Sequence, residues 1–383
     1  MTVSVYPACE TSIQPETVQH FYKSFWPRKT ALLVDRFYRW QFIHSPAAKN
    51  LDHCCLALDN KTRELVGVMG ITPRPFNLAG ETLPGAELTT WIVHPQHQHK
   101  GVGVCILNYL QSRYAVLIGM GITSMALPLY CRMGFRYLKG IPRYIKVCNW
   151  DAVKKFSEVQ PLAIKIDRFW EKTATHEKYR AILISENAIE YLQNINGKSF
   201  NFFHRDAAHI NWRYINHPFF HYQNFFISKE NGAPNELVHL CFREETSVSG
   251  ARILHVMECI GDTSCIPSAI CFLEDYGRKH HFDAVDFYCT SSVIASYFIA
   301  RGWFSTLDDE SLKMPHLFHP IELRNPATTS LIYWTKYNMH QLCDFSKLYI
   351  TKQDADLDRP TFDFLNTRNC TSISAHLDPA HYL

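Results

Sequence analysis

Between residues 51 and 145, short apolar runs alternate with turn residues, and the apolar period changes along the way. Stretches 51–59, 65–72 and 87–93 are short runs rich in apolar residues. They are punctuated by Asp59-Asn60 and Pro84-Gly85, and they predict strands. Residues 102–113 carry apolar side chains at helical spacing and predict a helix. A strand over 122–127 and a short helix over 128–133, stopped by Gly134, complete this part. Upstream, 15–27 and 32–44 predict helices. The polar stretch from about 150 to 177 predicts a connection between domains, and 284–289 predicts a strand that leads into a helix. Strands followed by helices around a mixed sheet give an α/β (α+β) class.

The chain also repeats itself. Trp40-Gln41-Phe42-Ile43-His44-Ser45-Pro46 and Trp212-Arg213-Tyr214-Ile215-Asn216-His217-Pro218 share the pattern W-x-[FY]-I-[HN]-x-P, 172 residues apart. Tyr130 to Phe135 and Tyr297 to Trp303 share a glycine–aromatic pair, Gly134-Phe135 and Gly302-Trp303, 168 residues apart. Two matches at nearly one offset predict two copies of one fold. A chain of 383 residues is also long for a single core. The expected division is 1–155 and 156–383.

Composition narrows the function. Hydrophobic residues make up 46% and charged residues 20%, which is a folded composition. A net charge of +3 gives no case for nucleic acid or an anionic membrane as partner. No apolar run reaches the ~18 residues of a membrane span. The 13 cysteines are scattered without a C-x-x-C pair, so no metal site is expected. The N-terminal MTVSVYPACETS lacks the apolar core of a signal peptide, which points to a cytoplasmic protein with reduced thiols.

The candidate chemistry lies where the strand over 87–93 turns into the helix over 102–113. There the chain reads Gln98-His99-Lys100-Gly101-Val102-Gly103. A helix N-terminus offers unpaired N–H groups and partial positive charge, and glycines let the backbone approach an anion closely. A Walker loop would need G-x-x-x-x-G-K-[ST], and a Rossmann turn would need a third glycine; neither is present.

The Q-x-x-G-x-G turn between strand and helix, followed some thirty residues later by Tyr130-x-x-x-Gly134-Phe135, resembles the GNAT acyltransferase superfamily. The resemblance covers roughly residues 50–145. It implies tandem GNAT-like lobes, each a mixed, mostly antiparallel sheet flanked by helices. It also implies acetyl-CoA or another acyl-CoA as co-substrate. Gln98, His99, Lys100, Gly101, Val102, Gly103 and Val104 would hold the diphosphate, and Ile92 and Val93 the pantetheine arm. Glu87, fourteen residues before Gly101, matches the glutamate that serves some members as general base, although other members use another residue or water. Tyr130 matches the tyrosine beside the CoA sulfur that often acts as acid; its plainer reading is a core aromatic. His94 and His97 are read as solvated or as CoA contacts.

The second lobe departs from the pattern. Glu258 to Pro267 contains no Q-x-x-G-x-G, and Asp262 would repel phosphate, so this lobe is expected to keep the fold without the cofactor. His44, Trp91, Ser291 and Ser292 are candidate substrate contacts, with a helix N-cap as the plainer reading of the serines. Asp354, Asp356 and Asp358 form D-x-D-x-D. Arg359 and Leu365 stand where a calcium loop needs glycine and glutamate, so a solvated acidic turn is expected. The repeated tryptophan segments and the closing D-x-D-x-D-R-P are similar to bacterial acyltransferases that modify nucleotide-linked amino sugars for surface polysaccharides. That narrower resemblance implies a nucleotide-linked amino sugar as acceptor. Another small amine (an amino acid, a polyamine or an aminoglycoside) and a non-catalytic CoA-binding protein remain open as alternatives.

Overall fold

The computed structural model of the chain describes residues 2–184, 200–233, 235–319, 321–354, 358–362 and 364–365. Two sheets, mostly antiparallel and flanked by helices, form a mixed α/β structure. The first sheet runs β1 (Val3–Pro7), β2 (Cys55–Asp59), β3 (Leu65–Leu78), β4 (Glu81–Val93), β5 (Val116–Met120), β19 (Leu331–Thr335), β6 (Arg136–Leu138), with β10 (Phe202–Phe203) added along β3. The second runs β15 (Phe304–Ser305), β7 (Arg143–Val147), β14 (Ala284–Tyr288), β13 (Arg252–Gly261), β12 (Val238–Thr246), β11 (Gln223–Lys229), β9 (Tyr179–Leu183). Two small ribbons stand apart, β8 (Glu158–Val159) with β16 (Leu312–Lys313) and β17 (Leu317–Phe318) with β18 (Ile321–Glu322).

The sheets exchange strands. Strand β7 precedes residue 155 yet pairs with β14, while β19, from late in the chain, is seated between β5 and β6. No single cut in the chain therefore separates the two sheets.

Each helix buries the stripe that its spacing defines. Helices α1 (Pro15–Phe25) and α2 (Asp35–Phe42) enclose Tyr22, Tyr38 and Phe42. Helices α3 (Val102–Arg113) and α4 (Leu127–Arg132) pack Val102, Ile106, Leu110 and Tyr130 against Leu88 and Leu117. The strand expected over 122–127 lies instead at β5, six residues earlier. All of Val116–Met120 is buried, as suits a strand between β4 and β19, so the alternation that marks a half-buried strand is missing. The stretch expected as a polar connection holds α5 (Trp150–Val153) and α6 (Pro161–Thr173). Ala163 and Ile166 of α6 pack with Ile145 and Phe304, so it belongs to the second sheet's core. After the short α7 (Ala207–Ile210), helices α8 (Ile266–Lys279) and α9 (Ser292–Ala300) cover that sheet's other apolar face.

The two W-x-[FY]-I-[HN]-x-P segments meet face to face. Trp40 and Trp212 stack with ring centroids 4.9 Å apart and planes 19° apart. Each indole Nε1 donates to the other residue's carbonyl, at 3.0 Å from Trp40 and 2.8 Å from Trp212. Reciprocal contacts of this kind are what a two-fold relation produces.

Candidate functional site

Strands β4 and β5 pair from Gly85–Val116 to Leu88–Gly119 and then part, while β4 runs on to Val93 with only β3 beside it. A bulge opposite Met69 and Gly70 leaves Thr90 unmatched, at φ 42°. Past Leu88, the β4 edge that faced β5 is therefore free of strand pairing, and half-buried Ile92 and Val93 lie along it.

The chain then turns through Pro95–His97 and the exposed Gln98, His99 and Lys100. Gly101, at φ 84°, stands at the N-cap of α3, and no side chain caps that helix. A Cβ built on Gly101 meets nothing within 4 Å. Uncapped N–H groups thus open onto free space, as an anion cradle needs. Gly103 has a different reason from the expected one. Its missing Cβ would lie 2.7 Å from the Trp91 ring and 2.8 Å from Leu129 Cδ2, so it fits α3 onto β4 and α4 rather than sparing room for a diphosphate. Val102 is buried in the core and Val104 is half-buried, so at these two positions only the backbone is available to a ligand.

Trp91 links the turn to Tyr130. The two rings meet edge to face at 5.2 Å, and the buried Trp91 Nε1 has no partner among the described residues. Tyr130 is 3% exposed, and burial pushes its phenol well up. A phenol held protonated through the neutral range can donate a proton, not accept one.

Glu87 lies on the same strand but in a different setting. It pairs across with Thr72 and lines a narrow cavity with Gln41, Trp40, Trp212 and Arg359. Its carboxylate accepts from Arg74, in close contact. Arg74 also donates to Asp354 at 3.0 Å and lies 3.2 Å from His209 Nε2. Arg205 continues the chain of charges, donating to Asp354 at 2.7 Å and to Glu258 at 2.5 Å. Tyr349 donates to Glu258 at 2.5 Å. Burial, with Arg74, Arg205 and Arg213 nearby, pushes His209 well below the ordinary imidazole range and keeps it neutral. This network joins β3 and β4 of the first sheet to β13 of the second. Sequence reasoning missed Arg74, Arg205 and His209, because none falls in a spaced motif; Arg74 stands between Pro73 and Pro75.

The closing aspartates are not a solvated acidic turn. Asp354 is fully buried between Arg74 and Arg205. Asp358, 2% exposed, receives Arg243 at 2.7 Å, Arg213 at 3.2 Å and the Tyr222 hydroxyl at 2.6 Å. Burial alone would raise its carboxyl; Arg243 and Arg213 hold it well below the usual range. Each carboxylate is buried because two guanidiniums meet it. Asp356 lies outside the described residues.

Three expected substrate contacts stand elsewhere. His44 and Ser292 are exposed. Ser291 is buried as the N-cap of α9, accepting from Ile294 N and donating to Ser346 O. None of them lines the Glu87 cavity. Arg359, which donates to Thr90 Oγ1 at 3.1 Å, lines both this cavity and a larger one of about 350 Å³ on the second sheet's side. At the second-sheet turn, Asp262 caps its own chain by accepting from Ser264 N at 2.8 Å.

Among the described residues, no group of three or more His, Cys, Asp or Glu stands in a metal-holding arrangement, and no helix is long and apolar enough to cross a membrane. Residues 12–138 match the acetyltransferase (GNAT) domain family. No curated protein matches the chain. Among solved structures, it is similar to a conserved Enterococcus faecalis protein described as a probable N-acyltransferase. The TM-score is 0.54 at 9% identity, covering 88% of this chain and 72% of that one. It is also similar to a GCN5-related N-acetyltransferase from Anabaena variabilis, with TM-score 0.52 at 12% identity, covering 89% and 74%. Saccharomyces cerevisiae N-myristoyltransferase gives TM-score 0.49 at 10% identity, covering 87% and 82%. At these identities the likeness is one of fold.

Proposed function

We propose that the chain, whose residues 12–138 match the acetyltransferase (GNAT) domain family, is an acyl-CoA-dependent N-acyltransferase that acylates the amine of a nucleotide-linked amino sugar by direct transfer. The observation that carries this reading is a pair of cavities that Arg359 lines in common. One holds Glu87; the other extends away from it over the second sheet. The larger, of about 350 Å³, has room for the remote part of a long acceptor, which a single-ended amine would leave empty.

In this reading the chain is a tandem of two GNAT-like lobes that exchange β7 and β19 across the expected boundary near residue 155, and the reciprocal Trp40–Trp212 contact supports a duplication. The first lobe holds acyl-CoA: the N–H groups of α3 take the diphosphate, with Gln98, His99 and Lys100 at the rim. The free edge of β4 at Ile92 and Val93 takes the pantetheine arm. Glu87 receives the proton that the acceptor ammonium must lose to become a nucleophile. The amine nitrogen bonds to the thioester carbonyl carbon, the carbon–sulfur bond breaks, and Tyr130 donates a proton to the departing thiolate. The second lobe, with Asp262 closing its turn, supplies acceptor contacts only. A cytoplasmic location, where acyl-CoA is made, suits this chemistry.

Two expectations follow. Gly103→Leu drives a side chain into Trp91 and Leu129, tilting the start of α3 away from the diphosphate. The KM for acetyl-CoA then rises about tenfold, the size of one lost hydrogen bond to a charged group. Steady-state kinetics with acetyl-CoA varied is the check, and an unchanged KM would detach the turn from CoA. In a thiol-release assay, a nucleotide-linked amino sugar outperforms the same free sugar in kcat/KM, because remote binding energy positions the amine. Equal values remove the nucleotide from the proposal, and a clear preference for a simple polyamine replaces the acceptor.

A further inference from the structure

The larger cavity holds an ammonium that no described side chain of the protein hydrogen-bonds. Lys352 is 4% exposed and lines this cavity. Among the described residues its Nζ makes no hydrogen bond or ion pair; it lies over the Tyr288 ring, 5.7 Å from the centroid. The charged groups facing it are Asp286, Asp358, Glu245 and Arg243. The three carboxylates are already matched. Asp286 binds Arg143 at 2.6 Å and His255 at 2.5 Å. Asp358 binds Arg243 and Arg213. Glu245 binds Arg243 at 2.8 Å and His319 at 2.9 Å. Three guanidiniums therefore offset three carboxylates, and the Lys352 ammonium is the surplus.

A buried, unpaired ammonium is costly, and burial drives its pKa down accordingly. Such a group is retained where a ligand supplies the missing anion. The walls say what else that ligand carries. Phe219, Phe220, Phe318 and Phe364 line the same space, offering flat apolar surface. Arg359, which lines both this cavity and the one at Glu87, is a second cation beside it. The volume of about 350 Å³ suits a small molecule.

We infer that this cavity is the anion subsite for the acceptor: Lys352 takes a phosphate of a nucleoside diphosphate, and the phenylalanine wall covers its planar base. The inference rests on the acceptor reading above and assigns its phosphate end to named residues, with the amine end directed past Arg359 toward Glu87.

The test is calorimetry on the full chain with saturating CoA present, so that the turn before α3 is already filled. Inorganic pyrophosphate and uridine 5′-diphosphate are the probes. Both are expected to bind, the nucleotide at least tenfold more tightly. Lys352→Met weakens both at least tenfold, and Lys352→Arg restores most of the binding. Thermal melting separates binding from folding: Lys352→Met removes a desolvated ammonium, so its Tm stays level or rises. Undiminished binding by a folded Lys352→Met variant overturns the subsite, and so does probe binding that saturating CoA abolishes. Failure here stands apart from failure of the transferase reading. Pyrophosphate binding intact in a protein that releases no thiol with any acceptor leaves the subsite standing and removes the acceptor chemistry. Turnover of a nucleotide-linked amino sugar that Lys352→Met does not impair does the reverse.

Discussion

Replacing Glu87 by glutamine lowers kcat by about 10²–10⁴-fold, the range of a lost general base, while the Kd for acetyl-CoA barely moves. The separation of the two effects comes from geometry. Glu87 faces the narrow cavity shared with Gln41 and Trp212, and the turn proposed to hold CoA stands at the far end of β4. Glutamine keeps the shape and can still accept from Arg74, which also retains Asp354 at 3.0 Å. The network therefore survives while the proton acceptor is lost. If Glu87 were only a partner for Arg74, Glu87→Gln would cost stability and leave kcat near normal; a near-normal rate at pH 7 would move the base to water or to the neutral His209. Glu87→Ala is the harsher comparison, since it also empties space beside Arg74. Chemistry must limit turnover for these rates to be read, which a pre-steady-state burst measurement establishes.

Tyr130 offers the complementary reading at the leaving group. Its phenol is driven up by burial and stays protonated through the neutral range, which suits a donor. The same burial suits a core aromatic between Trp91 and Phe135.

The turn proposed to hold acyl-CoA was legible because its residues are contiguous. A strand, a glycine turn and a helix follow one another in sequence, and local spacing carries the message. Even there, the reason for Gly103 was hidden, because it depends on Trp91 and Leu129 arriving from β4 and α4. Strand β5 was misplaced because a strand buried on both faces shows no alternation. The repeat offsets pointed to paired tryptophan segments, but that the two indoles stack on each other appears only in three dimensions. The charged network was illegible for a related reason. Asp354 meets Arg74 across 280 positions, and Arg205 across 149. An isolated aspartate in a polar stretch reads as solvated until its cations are seen. Lys352 gave no signal at all, since a surplus charge is defined only by counting the charges folded around it.

Arg205→Met should be the most destabilising single change in this network, costing about 3–5 kcal/mol, as when one partner of a buried ion pair is removed. For a chain of this length that lowers Tm by on the order of 5 °C. The side chain is 6% exposed as a residue and serves two carboxylates. Asp354 would keep Arg74 and the Thr351 N–H at 3.0 Å. Glu258, fully buried, would keep the Tyr349 hydroxyl and a longer contact from Gln353 at 3.4 Å, with no guanidinium left against it. Glu258 therefore carries most of the loss, and neutralising it in the double variant Arg205→Met, Glu258→Gln recovers more than half. The pH dependence has a definite sign. Burial already raises the Glu258 carboxyl above its ordinary value, with Arg205 opposing the rise. Removing Arg205 raises it further. A carboxyl raised on folding favours the native state at low pH and loses that contribution as pH climbs through its folded value. The penalty of Arg205→Met is thus full at pH 8 and shrinks as the medium is acidified toward the ordinary glutamate value of about 4.3. Urea denaturation of both proteins at pH 8 and pH 5 measures the difference. An equal penalty at both, or a double variant no better than the single, would mean that Glu258 is not the group left uncompensated and that the two sheets are held together by packing alone.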